Sequence, residues 1–361
     1  MGETTRVKSS SSKAVGWCRQ AVVLTLLMLS LPAGAVDVPT LYTTEVPYNR
    51  EARNARADAY EAALKAVLLR VSGSELASSP HIIEELFPNP ASYVMQFRSG
   101  ANSTLWVSFD GEAIEQTLRD AGQTVWGADR PLTLVWLAVD WGQGQREIVG
   151  ADDPDRTRAE SRSIDRNRLV RERVLEVAEL RGLPVVFPLL DTTDLQMVTF
   201  TDIWGGFDEM ILSASERYDA NSILIGRIRP ASSQRSRWTY YFAGSETPLT
   251  GTPEAVVGQV ADLLASEFAV GGDTPVETVA LNVSGIVSLD AYGTVQKTLA
   301  DVSLIENFTV TEVSGDRVSY QVDVRGGAAR LSRALRFSGL VETEREDPLF
   351  ESSALEFYFD D

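Results

Sequence analysis

The chain has 361 residues, about twice the size of an ordinary domain. With 44% hydrophobic and 23% charged residues its composition is globular, which excludes a disordered chain and a polytopic membrane protein. Acids outnumber bases 51 to 33, and a net charge of -18 argues against nucleic acid or an anionic lipid surface as the main partner; one Cys and one His remove whole classes of thiol and metal chemistry.

Residues 1–20 carry Arg6, Lys8, Lys13 and Arg19 against Glu3 alone. The apolar run Ala21–Leu31 and then Pro32-Ala33-Gly34-Ala35 complete the pattern of a cleavable export signal, with cutting expected after Ala35. The other reading is a membrane anchor, but a run of this length rises only about 16 Å as a helix, roughly half the hydrocarbon core. Cys18 precedes the apolar run, whereas a lipoprotein cysteine would follow it. The expected location is the periplasm, with no transmembrane segment after cleavage. The mature chain then holds 29 bases, 50 acids and no Cys, so it has no disulfide, thiolate nucleophile or Cys-ligated zinc.

The first section, 36–128, is expected to be an α+β domain. Leu41–Val46 reads as a strand ended by Pro47, and Asn49 as the cap of a helix from Arg50 to Val71, with Ala52, Ala55, Ala59, Ala63, Val67 and Val71 in one stripe. Pro80–Phe87 suggests a short helix, Thr104–Phe109 a strand, and Gly111–Ala121 a helix.

The second section, 130–270, is expected to be an α/β sandwich. Leu132–Val139 is apolar on both alternating faces, as in a central strand covered on both sides. A charged loop is expected from Gly142 to Ser163, a helix over Ile164–Arg181 stopped by Gly182, and a buried strand over Leu183–Leu190. A helix over Asp208–Tyr218, strands over Ser222–Ile228 and Arg237–Phe242, and a helix opening at Thr252-Pro253-Glu254 complete it. Gly271–Pro275 reads as a linker. The third section, 276–361, gives the order β-α-β-β-α-β of a ferredoxin-like split unit: Val318, Tyr320, Val322 and Val324 alternate against polar neighbours, and Ser288 caps a helix.

Candidate chemistry is sparse. His81, the one histidine, follows Pro80, and no G-x-S-x-G elbow accompanies it, so it reads as a surface side chain. One imidazole cannot make a two-His metal set. Asp152, Asp153 and Asp155 lack calcium-loop spacing and sit among arginines. Neither a cofactor nor a metal is expected. Asp140, Asp191 and Asp194 follow two strands of the second section, where α/β sheets gather ligands. Paired carboxylates there would suit glycoside hydrolysis, with Trp136, Trp141 and Trp204 near; turn formation and core packing explain the same residues. Arg227, Arg229, Arg235 and Arg237 cluster with Trp238, Tyr240 and Tyr241 as a basic, aromatic patch on an acidic chain. Arginine pairs bidentately with carboxylate and phosphate, so the patch can dock an acidic partner; charge placed to protect an edge strand is the plainer reading.

Several stretches carry a resemblance: Tyr42–Pro47, the helix Arg53–Gly73 (RNARADAYEAALKAVLLRVSG), Arg130–Asp140 (RPLTLVWLAVD) and Arg181-Gly182-Leu183-Pro184. Together they resemble a family of exported proteobacterial proteins catalogued as a domain of unknown function, number two thousand and sixty-six. The resemblance implies a Gram-negative periplasmic protein and carries over no catalytic residue. The second section, through Ala220–Gly226, is similar to envelope-assembly modules such as the N-terminal domain of the Tol-system β-propeller protein and the curli-secretion lipoprotein. The helix of the first section is similar to that of flagellar-ring accessory proteins. These are analogies of fold. The reading that follows is a non-enzymatic interaction protein of the cell envelope, with envelope proteins as partners; the alternative is a glycan-binding or glycan-hydrolysing protein using Asp140, Asp191 and Asp194, in contact with peptidoglycan.

Overall fold

The computed structural model describes residues 36–37, 41–75, 77–151, 161–230, 236–343 and 354–359. The expected export signal, the acidic run 152–155 and Arg235 lie outside the described residues. The chain is mixed α/β with several sheets. Among the described residues no helix is long and apolar enough to cross a membrane.

In chain order the first section holds β1 (Val36–Asp37), β2 (Thr43–Pro47), α1 (Ala55–Ser72), α2 (Pro80–Leu86), β3 (Val94–Ser99), β4 (Thr104–Phe109), α3 (Gly111–Asp120), β5 (Thr124–Val125) and β6 (Asp129–Arg130). Strands β2, β4 and β3 form an antiparallel sheet in that order. The small and branched stripe of α1 (Ala59, Ala63, Val67, Val71) lies in one core with Leu105, Val107 and Phe109 of β4 and Ile114 and Leu118 of α3. The helix begins five residues later than expected. Asn49 is not its cap: its Oδ1 accepts from the Glu51 N–H at 3.1 Å and its carbonyl from Ala52, so this Asn closes a turn of its own instead.

The second section holds β7 (Thr133–Gly142), β8 (Gln145–Val149), α4 (Ser161–Arg181), β9 (Val185–Val186), α5 (Thr192–Met197), α6 (Phe200–Gly205), α7 (Asp208–Ser215), β10 (Ser222–Ile228), β11 (Arg237–Phe242), β12 (Ser245–Thr250) and α8 (Pro253–Phe268). The sheet runs β12-β11-β10-β7-β8, with β9 on the β8 side of β7, and β7 and β10 are parallel. As its apolar residues on both alternating faces require, β7 is covered on both sides. Val135, Leu137 and Val139 join a core with Val174 and Ala178 of α4 and Val256, Val260 and Leu264 of α8. Leu134, Trp136 and Ala138 join another with Ile203 of α6 and Ile211 and Ala214 of α7. Trp136 is fully buried, its Nε1 donating to Ser215 Oγ at 2.9 Å.

Two expectations change here. The start of the charged loop is β8, which returns along β7 through Gly142-Gln143-Gly144, all at positive φ. The strand expected over Leu183–Leu190 shrinks to β9. Pro184 and Pro188 have no N–H for a ladder, although their carbonyls still accept from Thr133 and Ala151.

The third section holds β13 (Val270–Gly271), β14 (Val276–Ser284), α9 (Leu289–Asp301), β15 (Ile305–Ser314), β16 (Arg317–Arg325), α10 (Ala328–Phe337), β17 (Leu340–Glu342) and β18 (Leu355–Phe359). Ser288 caps α9 by accepting from the Ala291 N–H, and Val318, Tyr320, Val322 and Val324 all face the core with Val295 and Leu335. The sheet order is β15-β16-β14-β18-β17. This departs from the split βαββαβ unit: the chain passes through an added edge strand, β17, and returns so that β18 lies parallel to β14. The expected linker is tied down. β13 pairs with β5, and Arg325 donates to the carbonyls of Gly272 and Thr274.

One side chain gathers the ends of several elements. Arg130 is fully buried and lies flat on the Trp126 ring, 3.9 Å from its centroid. Its five N–H groups donate to the carbonyls of Gly127, Arg181, Gly182, Arg70 and Trp126. Three of these close α1 and α4, whose negative dipole ends favour a cation. Burial draws its pKa down, to about 9, which leaves it charged at neutral pH. On the same side of the second section, α1 packs on α4 and α10 on α8. The α5–α7 layer covers the other face of the sheet.

Candidate interaction face

The expected carboxylates fall into two groups with no shared partner among the described residues. Asp140 sits at a bulge near the end of β7. Its Oδ1 accepts from the Gly142 N–H at 3.0 Å, and its Oδ2 is 3.3 Å from Arg229 Nε and 3.9 Å from Arg146 Nε. The Gly142 N–H and then the Arg229 guanidinium hold this carboxyl below the usual range. Asp191 caps α5, accepting from the N–H groups of Thr193 and Asp194, and pairs bidentately with Arg217 at 2.8 Å on both oxygens. Arg217 first, and the Asp194 N–H next, pull its pKa far down. Asp194 is buried. It accepts from Arg217, from the Leu190 N–H at 2.8 Å, and from the Tyr218 hydroxyl, whose pKa burial and this bond push up to about 12. Leu190, held at φ +51°, keeps that unfavourable backbone through its bond to Asp194.

The described arginines of the hairpin have separate surroundings. Arg227 lies against the α6–α7 layer, donating to the Ile203 carbonyl and to Asp208 Oδ1 at 2.8 Å. Arg229 is paired with Asp140. Arg237 is exposed and stands opposite Arg227 across the β10–β11 ladder. Trp238 and Tyr240 belong to the α4–α8 core and are buried, so neither can touch a partner. Strand alternation explains the correction: Tyr241 is the aromatic on the Arg227 face, and its hydroxyl donates to Asp208 at 2.9 Å. His81 is a surface residue, 3.8 Å from Glu85 one helical turn on.

Around Trp204 the structure also assembles residues that the sequence did not single out. Phe200 and Trp204, one turn apart on α6, stack at 5.1 Å. Arg146 lies over Phe200 and Arg229 over Trp204, at 5.8 and 5.2 Å, and both arginine side chains are 58% exposed. Across the outer surface of the layer, Leu189, Leu195, Phe207 and Met210 are each more than half exposed. The available signal was phase: Ile211, Ala214 and Ser215 take the inner side of α7, which turns Met210 outward. Among the described residues no cluster of acidic, His or Cys side chains has the form of a metal site.

A family model described as Domain of unknown function (DUF8605) matches residues 35–127. This supports a domain of unknown function in the first section, without the expected number two thousand and sixty-six, and the match ends before this face begins. No curated protein matches the chain.

Proposed function

We propose that this chain is an exported proteobacterial protein that acts in the periplasm as an interaction protein of cell-envelope assembly or maintenance, and that its contact surface is the α5–α7 face. The observation that carries this reading is the exposure of Leu189, Leu195, Phe207 and Met210 in the α5–α7 layer. The pairs Asp191–Arg217, Asp194–Arg217 and Asp208–Arg227 tie this layer together and to the sheet. Exposed Phe and Met, with arginines over aromatic rings, have the composition of a protein contact. The amino-terminal charge pattern and its A-x-A end support export. Glycan hydrolysis would use two carboxylates facing one sugar, and Asp140, Asp191 and Asp194 are instead engaged by arginines and backbone N–H groups.

Site-specific photo-crosslinking in intact cells tests the reading. A crosslinking residue at Met210 should yield one discrete adduct with an envelope protein, whereas one at Thr278, on the polar outer face of β14, should yield none. The absence of any adduct from Met210, Phe207 and Leu195 would overturn it.

A further inference from the structure

We infer that the α5–α7 face takes a cationic amphipathic segment of its partner, with apolar side chains over Leu195, Phe207 and Met210 and lysines or arginines against Glu209, Glu216 and Asp219. This rests on the interaction reading above and names the partner's chemistry.

Charge carries the inference. Residues 189–219 contain seven carboxylates and one arginine. Four of the seven are engaged within the fold: Asp191 and Asp194 by Arg217, Asp202 in the reciprocal cap with Thr199, and Asp208 by Arg227. Glu209, Glu216 and Asp219 are exposed, and none has an ion-pair partner among the described residues. Glu209 and Glu216 are seven positions apart, two turns of a continuous helical path, so both lie beside Met210 on the outer side. The result is an apolar surface flanked by unneutralised acid. The complement is a segment with one apolar and one basic side, such as a helix bearing Leu or Phe at i, i+3 and i+4 with Lys or Arg beside them. A second copy is a poor fit. A two-fold contact would set two faces bearing the same unneutralised acids against each other, on a chain of net charge -18. An acidic partner, the one the arginine hairpin suggested, would meet Arg227 and Arg229 already paired with Asp208 and Asp140, which leaves Arg237 as the exposed hairpin arginine among the described residues.

The probe is a synthetic 18-residue Leu/Lys amphipathic peptide carrying a photoreactive group, set against its Leu/Glu twin. Binding is measured to the mature chain, to Glu209→Gln/Glu216→Gln, to Phe207→Ser/Met210→Ser, and to Glu61→Gln/Glu312→Gln, which loses equal charge at exposed sites elsewhere. The Leu/Lys peptide should bind and crosslink within 189–219. The acidic-face pair should weaken it about fivefold in 0.1 M salt and the apolar pair about tenfold, while the distant pair stays within about twofold. Equal binding of the Leu/Glu twin, equal weakening by the distant pair, or adducts outside 189–219 would overturn the inference. So would a dimer in sedimentation that Phe207→Ser/Met210→Ser dissolves, which would assign the face to a second copy. If the peptide fails while Met210 still crosslinks an envelope protein in cells, the cationic chemistry falls and the interaction reading stands. Silence at Met210 in cells removes the interaction reading itself.

Discussion

Arg130 and Asp194 are the two side chains whose loss the fold should feel most. Arg130 serves five backbone carbonyls at the closing turns of α1 and α4, with no carboxylate among its bonded partners. Arg130→Ala would leave several buried acceptors unpaired and a hole against Trp126, at a cost of about 4 kcal/mol. Arg130→Lys, with three donors on one nitrogen, cannot span the same set and should recover less than half. Urea unfolding reads both, and a loss of under about 1 kcal/mol for Arg130→Ala would show that water replaces the guanidinium cheaply. Asp194→Ala removes the acceptor for Leu190, Tyr218 and Arg217 together and should cost about 3 kcal/mol, with faster hydrogen exchange first in α5. At this scale the sequence misleads about the site for a definite reason. It shows that Arg227 and Arg229 are basic, but Asp208 lies 19 positions from Arg227, and Asp140 lies 89 positions from Arg229. Pairing across such distances is a property of the sheet.

Among the elements, those with a period and a cap were legible in the sequence. The Thr252-Pro253 start of α8 and the Ser288 cap of α9 form as their chemistry requires, accepting from the Ala255 and Ala291 N–H groups. The two-faced apolar run of β7 likewise becomes a central strand between two cores. Short segments were not legible. β9 is cut down by prolines, and α5 and α6 each span six residues, too few to display a helical period. Strand β10 also depends on Gly226, where a Cβ would stand 2.2 Å from the Trp238 ring and 2.7 Å from Leu137. Gly226→Ala should therefore destabilise by about 2–3 kcal/mol through overpacking, and a variant of unchanged stability would mean that Trp238 repacks freely. The α5 cap has a pH signature. Arg217 and two N–H groups lower the pKa of Asp191 in the fold, so its contribution is present above the unfolded value, near pH 4, and is lost as the pH falls through the folded value. The gap in urea midpoint between wild type and Asp191→Asn should be constant from pH 7 to pH 5 and close below about pH 4. A gap that widens in acid would contradict the assignment.

For the whole molecule, the sections are joined on one side and open on the other. Arg130, the β5–β13 pair and the Arg325 contacts tie the chain together around the α4–α8 side of the central sheet. The α5–α7 layer is left to meet something else, with its anchors exposed and three carboxylates unneutralised. If export proceeds as the leader suggests, the intact mass of the protein from the periplasmic fraction should correspond to a chain starting at Val36. Partner binding on this geometry should leave the open face of the third section unaltered, because Thr278, Asn282 and Arg317 there are already engaged with Asp323 and Glu356.

The most direct test is hydrogen exchange of the mature chain, alone and with the envelope protein captured through Met210. Slowed exchange should concentrate in 189–218, with β14 to β16 unchanged. Protection confined to the β2-β4-β3 sheet, with α5 to α7 exchanging as in the free protein, would contradict the assignment of this face.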